Sequence, residues 1–397
     1  MNEKQAIWVL EDVRVKGRGG RDRLRKLRGE IRQGVTAVVG CSGAGKSTLL
    51  NVLVGFEQID GGKVIWHGGS KGDGAGAGGC GRDGGIDVFW CPQSGGLWAG
   101  LTVGEHVRLV CGGKKKGGGA CGGGGDVGMW LQRFDLDGKE DVVVGELSGG
   151  ERARLSLARG LASGCGVLVL DEPLVSVSVG DARRYWEVIR DWRSQTGGHV
   201  IFSTHLPEVV MREAEHVVFM DEGAGLWWGE VGEAYDRPID EKVGRLLGEL
   251  NWFNECDGAD WLGDAWQVAR QCFGHAAQAG QAQQARSNGV GVRPERMVVE
   301  VDAGGAFVSR GSCRVGVMVE TVVRDVQRAK ERLFLHAGDV VAAGENVRLA
   351  VTPIASGTPC ATSEGQKLTS EKQHATSAEQ RAAMRQVDAC IGGQNAK

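Results

Sequence analysis

Residues 35–55 read VTAVVGCSGAGKSTLLNVLVG, and this stretch decides the fold. Its first five residues, Val35–Val39, are a short β-branched run of the kind that forms a buried strand. The next nine residues, 40–48, have the spacing GxxxxGK[ST], and the apolar run after them predicts a helix that ends at Gly55. A strand, a glycine-rich loop and a helix in this order predict a phosphate-binding loop.

The chemistry of such a loop assigns a role to each part. Glycines let backbone N–H groups converge on phosphate oxygens, and the start of the helix adds positive partial charge. Lys46 is expected to reach the β and γ phosphates of ATP, and the Ser47 hydroxyl to complete the shell of a Mg²⁺ ion. The predicted nucleotide-binding residues of this loop are Gly40, Cys41, Ser42, Gly43, Ala44, Gly45, Lys46, Ser47 and Thr48.

Glycine is over-represented along the whole chain, and this weakens motifs built from glycines alone. The count is 67 in 397 residues, against a usual share of about 7%. Two glycine-rich stretches, 67–85 and 111–128, are predicted to be surface insertions, because glycine adds unfolded-state entropy and offers no side chain to pack. The phosphate loop is distinguished from them by its flanking strand and helix.

A second strand carries an acidic pair at its end. In VLVLDEP, residues 167–173, Asp171 and Glu172 follow a hydrophobic run at the carboxyl edge of the predicted sheet. There Asp171 could hold Mg²⁺, directly or through water, and Glu172 could polarise the attacking water. The alternative is that the pair merely caps the following helix.

A third motif, LSGGERARLSLARGLA at residues 147–162, predicts a helix that begins after Ser148, Gly149 and Gly150. Its apolar positions share one face, and Arg159 is among the arginines expected on other faces. The helix start offers free N–H groups and a hydroxyl to an anion. Because the Lys46 loop already holds the phosphates of its own nucleotide, this second site is best explained if it closes over ATP bound to another copy, which predicts a homodimer.

Short strands at 35–39, 167–170 and 200–202, each followed by a loop and a helical pattern, predict an α/β fold with parallel strands. Ligands bind such sheets at the carboxyl ends of the strands. A net charge of −3 argues against a nucleic-acid partner. Eleven cysteines without CxxC spacing argue against zinc and disulfides, and no apolar run reaches the length of a membrane span or a signal segment. The chain is expected to remain in the cytosol.

The order of the phosphate loop, LSGGE, VLVLDEP and Ser203–Thr204–His205 resembles the nucleotide-binding subunit of ABC transporters over residues 5–250. The resemblance implies an ATPase with a helical subdomain at about 95–160, acting as a homodimer on the cytoplasmic face of the membrane as a peripheral subunit. Its implied partners are the permease subunits of an importer and, indirectly, an extracytoplasmic solute-binding protein. It also implies that Gln93 senses Mg²⁺ and water, and that His205 faces the γ-phosphate.

The C-terminal part resembles importers for sugars, polyamines, sulfate, molybdate or ferric iron, on the segments 227–253 and 289–300. That resemblance implies a small OB-like TOBE domain with a regulatory role at 290–354, after a linker at 251–289 and before a disordered tail at 355–397. A plain β-extension is the alternative for the same alternating valines.

Two departures from the family pattern bear on activity. The aspartate expected shortly after the acidic pair is replaced by Ser178, with Asp181 three residues later. The aromatic residue that stacks on adenine is missing, and the aligned stretch offers Arg14 and Arg18. These departures leave open a regulatory subunit with weak hydrolysis, beside the rival of a non-transport ABC ATPase.

Overall fold

The computed structural model describes residues 5–17, 19–67, 88–111, 126–274, 289–315 and 317–353. The predicted glycine-rich insertions fall mainly outside these ranges, and so does the predicted tail at 355–397. The chain divides into two compact units, 1–352 and 353–397. The fold described below belongs to the first unit.

A six-stranded sheet in the order β5-β6-β7-β3-β8-β9 forms the centre of the N-terminal region. The neighbours from β5 to β8 are parallel, and β9 closes the edge antiparallel to β8. The two predicted strands at 35–39 and 167–170 are confirmed residue for residue, and the third is longer than predicted. The strands are β3 Val35–Val39, β5 Val88–Cys91, β6 Val167–Leu170, β7 His199–Thr204, β8 His216–Asp221 and β9 Ala224–Glu230.

A second, antiparallel sheet covers one face of the central sheet. Its strands lie in the order β2-β1-β4, and they are β1 Ala6–Lys16, β2 Asp22–Arg32 and β4 Gly61–Trp66. Trp8, Leu10 and Leu24 from this sheet share a core with Val169 and Ile201 of the central sheet. The alternation of β-strand side chains sends the neighbours of Val169 and Ile201 to the opposite face, where they meet the helices.

Eight helices accompany the central sheet in the described part of the N-terminal region. One hydrophobic core fills the space between these helices and the sheet. It contains Trp186 and Trp192 from a helix and Phe202 from the sheet. Helices α2, α3 and α4 lie within the segment predicted as the helical subdomain. The bounds are α1 Lys46–Leu53, α2 Val103–Cys111, α3 Val127–Arg133, α4 Gly149–Ala162, α5 Val179–Thr196, α6 Pro207–Glu213, α7 Val231–Asp236 and α8 Glu241–Arg245.

The C-terminal region is built on a five-stranded antiparallel sheet in the order β12-β16-β13-β14-β15. A short pair of strands, β10 Asn251–Phe253 and β11 Val290–Val292, precedes it. The five strands are β12 Met297–Val301, β13 Phe307–Val315, β14 Met318–Asp325, β15 Lys330–His336 and β16 Asn346–Val351. An all-β sheet therefore lies at the C-terminal end of the described chain, as the sequence predicts.

The predicted linker at 251–289 needs correction. Up to residue 274 it contains β10 and two helices, α9 Glu255–Leu262 and α10 Ala265–Phe273. Asn254 caps α9 by accepting from the Asp257 amide at 2.8 Å, and Trp261 and Trp266 are buried. Both helices have fewer than ten residues, which is too short for their apolar spacing to stand out from the sequence.

Arg293 joins the C-terminal region to the N-terminal region. Its side chain is 1% exposed and donates to the carbonyls of Tyr235 at 2.9 Å, Gly248 at 3.2 Å and Glu249 at 3.0 Å. The guanidinium also lies 4.0 Å from the centre of the Tyr235 ring. Burial lowers the pKa of Arg293, yet an arginine remains charged in proteins, so the junction is a cation held by carbonyl oxygens and a π face.

Candidate active site

The phosphate loop depends on glycine at fixed positions. Gly43 and Gly45 have φ of 80° and 100°, in the left-handed region that favours glycine. A Cβ atom on Gly40 would lie 2.3 Å from the Met220 carbonyl oxygen, and one on Gly45 would lie 2.9 Å from the Arg23 carbonyl oxygen. Both the backbone angles and the close packing therefore require glycine between β3 and α1.

Lys46 lies at the first position of α1 and its side chain is 7% exposed. The ammonium donates to the carbonyl oxygens of Gly40 at 2.8 Å and Cys41 at 3.2 Å, so it curls back over the loop. The residue before it, Gly45, provides no side-chain cap, and the first four N–H groups of a helix have no partner within the helix. The loop thus combines a cation with N–H donors, which is the chemistry that binds phosphate.

Asp171 and Glu172 extend from the end of β6 beside the loop. The Asp171 carboxylate is 6% exposed and accepts from the Ser203 hydroxyl at 2.6 Å. The Glu172 backbone is left-handed, with φ of 48°. The next helix, α5, is capped by Ser178, so the acidic pair does not cap it and that alternative for the motif is removed.

The side chain of Glu172 is the point at which the predicted catalytic residues meet. Its Oε1 lies 3.9 Å from Nζ of Lys46 and 3.7 Å from Nδ1 of His205. Its Oε2 accepts from Nε2 of Gln93 at 3.3 Å. Four residues that are separate in the sequence thus form one group around a carboxylate, at the carboxyl edge of the central sheet.

A Mg²⁺ ion fits the donor atoms available here. Ser47 is exposed in the first turn of α1, and Asp171 and Gln93 add a carboxylate and an amide oxygen, the hard donors that Mg²⁺ prefers. Within the described ranges, no three His, Cys, Asp or Glu side chains converge on a metal position. Such an ion would therefore take most of its ligands from phosphate and water, as Mg²⁺ bound with a nucleotide does.

The Ser148 turn is preorganised by a capping box. Oγ of Ser148 accepts from the Glu151 amide at 3.3 Å, and a Glu151 carboxylate oxygen accepts from the Ser148 amide at 2.8 Å. The Lys139 ammonium donates to the same carboxylate. Lys139 and then Ser148 lower the pKa of Glu151 to about 2, so the box stays ionised at neutral pH. Gly149 beside it is exposed, which leaves the turn accessible to a ligand or a second chain.

Arg159 is buried, although the sequence predicts it away from the apolar face of its helix. It is 7% exposed, and its guanidinium carbon lies 5.7 Å from the Phe89 ring centre and 5.3 Å from that of Trp98. Its Nη1 donates to the Gly96 carbonyl at 2.8 Å. Helical spacing predicts Arg159 off the apolar face of the helix. It could not indicate this burial, because the two rings that cover the guanidinium come from another part of the chain. Arg159 therefore anchors the loop that follows Gln93.

Ser178 replaces the expected family aspartate with a helix cap. Its hydroxyl accepts from the Asp181 amide at 3.2 Å and donates to the Asp181 carboxylate at 2.7 Å. Of the two arginines at the position of the missing adenine-stacking aromatic, Arg14 is exposed on β1, and Arg18 lies outside the described residues. The serine thus has a local structural role that the sequence comparison did not reveal.

Ser178→Ala is expected to lower the free energy of unfolding by about 1 kcal/mol, the usual cost of removing an N-cap side chain. Ser194→Ala on the same helix is the matched control, because the Ser194 hydroxyl donates back to the Asp191 carbonyl and does not cap the start of the helix. Urea denaturation of both variants measures the difference. Equal stabilities would mean that the cap contributes nothing.

Comparison with known proteins identifies the family. The family described as ABC transporter matches residues 24–175. The thiamine import ATP-binding protein ThiQ of Mesorhizobium japonicum is 32% identical over 224 residues, which cover 54% of this chain and 81% of that protein. This chain belongs to the ABC transporter ATP-binding proteins. As a member of that family it is an ATPase, and the resemblance drawn from the motifs is confirmed.

Further similarities of this ABC ATPase extend beyond the family match. The sulfate/thiosulfate import ATP-binding protein CysA of Xylella fastidiosa is 30% identical over 306 residues, covering 76% of this chain and 84% of that protein. A solved dimeric ATP-binding cassette in a post-hydrolysis state with ADP and Pi is 19% identical, covers 56% of this chain and 98% of its own, and has a TM-score of 0.47. Among the described residues, the helices are too short or too polar to cross a membrane.

Proposed function

We propose that this chain is the ATP-hydrolysing subunit of an importer whose membrane-spanning permease consists of separate subunits. The observation that carries the proposal is the group around Glu172, where Lys46, Gln93 and His205 lie within 4 Å of one carboxylate. Similarity to proteins named as import ATP-binding proteins supports the importer part. The chain would then act as a peripheral subunit on the cytoplasmic face of the membrane.

Each residue of the group has a role in hydrolysis under this proposal. Lys46 and the loop amides bind the β and γ phosphates, and Ser47, Asp171 and Gln93 would hold Mg²⁺. The ion, when bound, neutralises charge on the phosphates. Glu172 orients a water molecule and accepts its proton as the water oxygen attacks the γ phosphorus and the bond to the bridging oxygen breaks. His205 stabilises the charge on the γ-phosphate.

A homodimer completes the site in this proposal. The Lys46 loop of one copy and the Ser148 turn of the other would sandwich each ATP. Two features support this: Ser148 and Gly149 are exposed, and Glu151 already fixes the turn. A helix start of this kind contributes N–H donors to the γ-phosphate without further reorganisation.

The C-terminal region is proposed to be an OB-like TOBE domain with a regulatory role. Its end strands β12 and β15 contact each other although other strands separate them in the sheet order. A five-stranded antiparallel sheet whose ends approach each other is curled toward a small barrel, the architecture of OB folds. The similarity to CysA over 306 residues, more than the ATPase region alone, also supports the assignment.

Reconstitution tests the function. The purified chain, with the integral membrane protein that copurifies from detergent-solubilised membranes, is placed in liposomes and its ATP turnover is compared with that of the chain alone. We expect turnover to be measurable alone and to rise severalfold in the complex. Turnover that is equal with and without a membrane partner would favour the non-transport ATPase. No turnover in either state would favour the regulatory subunit.

A further inference from the structure

We infer that Ser203 is a positioning residue for hydrolysis, because its single hydroxyl fixes both the Asp171 carboxylate and the Glu172 backbone. The inference rests on the proposed function, in which these two acidic residues hold Mg²⁺ and orient water. Ser203 itself contacts neither phosphate nor water in this scheme and acts through its neighbours.

The sheet places Ser203 beside the acidic pair. Strands β6 and β7 are parallel neighbours, and Leu170 lies opposite Phe202 in the register. The next residues, Asp171 just after the end of β6 and Ser203 within β7, therefore lie side by side. Ser203 is 0% exposed, so its hydroxyl must find its partners within the protein.

Both hydrogen bonds of the hydroxyl go to the acidic pair. Oγ of Ser203 donates to Oδ1 of Asp171 at 2.6 Å and accepts from the amide of Glu172 at 2.8 Å. A hydroxyl has one proton and free lone pairs, so donating to the carboxylate leaves a lone pair for the amide. A side chain without a hydroxyl at position 203 would leave both groups without this partner.

The bond to the Glu172 amide restrains a strained residue. Glu172 has φ of 48°, a conformation that non-glycine residues adopt at a cost and that the surroundings must maintain. Anchoring its N–H to Ser203 fixes the point from which the side chain extends to Lys46 and His205. Loss of the anchor would let the backbone relax and move the carboxylate away from them.

The phosphate loop does not depend on this hydroxyl. Lys46 is held by the carbonyls of Gly40 and Cys41, which lie on a different strand end from Ser203. Removal of the Ser203 hydroxyl should therefore leave the KM for ATP nearly unchanged. It should lower the affinity for the metal ion and the rate of the chemical step. If Ser203 had a purely structural role, loss of its hydroxyl would instead lower the melting temperature. ATP binding and the chemical step would then not respond differently.

The experiment compares Ser203→Ala, which removes the hydroxyl, with Ser203→Thr, which keeps it. Thr36→Val is the matched control: Thr36 is 1% exposed on the neighbouring strand β3, lies opposite Ile201, and its hydroxyl has no hydrogen-bond partner within the part of the chain that the structure describes. Steady-state ATPase kinetics, Mn²⁺ binding followed by electron paramagnetic resonance with ATP present, and melting temperatures are measured for all three variants.

For Ser203→Ala we expect kcat to fall about tenfold or more, the size of one lost hydrogen bond to a buried charge. The KM for ATP should stay within about twofold, and Mn²⁺ affinity should fall severalfold. Ser203→Thr and Thr36→Val should keep kcat within about threefold of the unmodified protein. If Ser203→Ala fails to fold, Ser203→Cys takes its place, because a thiol of similar volume donates only weakly.

A kcat of Ser203→Ala within about twofold of the unmodified protein would overturn the inference, and so would a Thr variant as slow as the Ala variant. Glu172→Gln, assayed in parallel, separates a failure of the role of Ser203 from a failure of the proposed catalytic function. Loss of activity in Glu172→Gln but not in Ser203→Ala leaves the proposed function standing and rejects the role of Ser203. Retained activity in Glu172→Gln rejects the proposed catalytic function itself.

Discussion

Glu172→Gln is expected to lower kcat for ATP hydrolysis by about 10²–10⁴-fold, the range that a positioned acid or base contributes, while ATP still binds. Glutamine keeps the shape of the side chain and can still face Gln93 and His205. It carries no negative charge and cannot accept the proton of the attacking water. The residues proposed to bind the phosphates, Lys46 and its loop, are unchanged.

The variant should also accumulate as an ATP-bound dimer, since in the proposed homodimer ATP binding closes the interface between two copies and hydrolysis opens it. Phosphate release in a single turnover measures the chemical step, and size-exclusion chromatography with MgATP measures the dimer. Glu187→Gln is the control, because Glu187 lies exposed on α5, away from the Glu172 group, and forms an ion pair with Arg190 at 3.7 Å. Undiminished turnover would show that another group activates water, and a variant that stays monomeric with MgATP would contradict the sandwich arrangement.

Much of the ATPase fold could be predicted because its motifs are local. The strand before Gly40 and the strand before Asp171 were predicted with the bounds they have in the structure. A buried parallel strand is a short continuous apolar run, and its end is marked by the loop residues that follow. The position of each motif therefore marks where the strand before it ends.

The convergence of the site could not be predicted from the residues alone. Gln93 and Glu172 are 79 positions apart, and only the family resemblance suggested that they act together. Ser203 belongs to the Ser203–Thr204–His205 segment of the family resemblance, yet its bonds to the acidic pair depend on the register between β6 and β7. Burial of Arg159 likewise depends on Trp98, which no helical periodicity within α4 could indicate.

The helices within the predicted linker at 251–289 could not be predicted for a different reason. The segment after residue 250 contains short helices whose apolar residues, such as Trp261 and Phe273, are too few to establish a period. Their burial comes from packing against strands that lie later in the sequence, as the contact between the Trp261 and Phe307 rings at 5.3 Å illustrates. Tertiary packing rather than local preference decides such elements.

Lys46→Ala is expected to weaken ATP binding by about 30-fold or more, since truncating one partner of a buried, hydrogen-bonded charge pair costs about 2–5 kcal/mol. The ammonium has two roles that are lost together. In the proposed function it supplies positive charge to the β and γ phosphates, and its bonds to the carbonyls of Gly40 and Cys41 hold the loop in its curled form. Equilibrium dialysis with labelled ATP measures the affinity.

Lys46→Arg distinguishes charge from shape. A guanidinium keeps the charge, but it is planar and larger than an ammonium, and the Lys46 side chain is only 7% exposed, so we expect this variant to bind ATP poorly as well. Lys63→Ala, on the exposed part of β4, is the control and should bind normally. Normal affinity of Lys46→Ala would refute the phosphate-loop assignment. Since Glu172→Gln should bind ATP without cleaving it and Lys46→Ala should fail at binding, the two variants separate nucleotide capture from chemistry within one site.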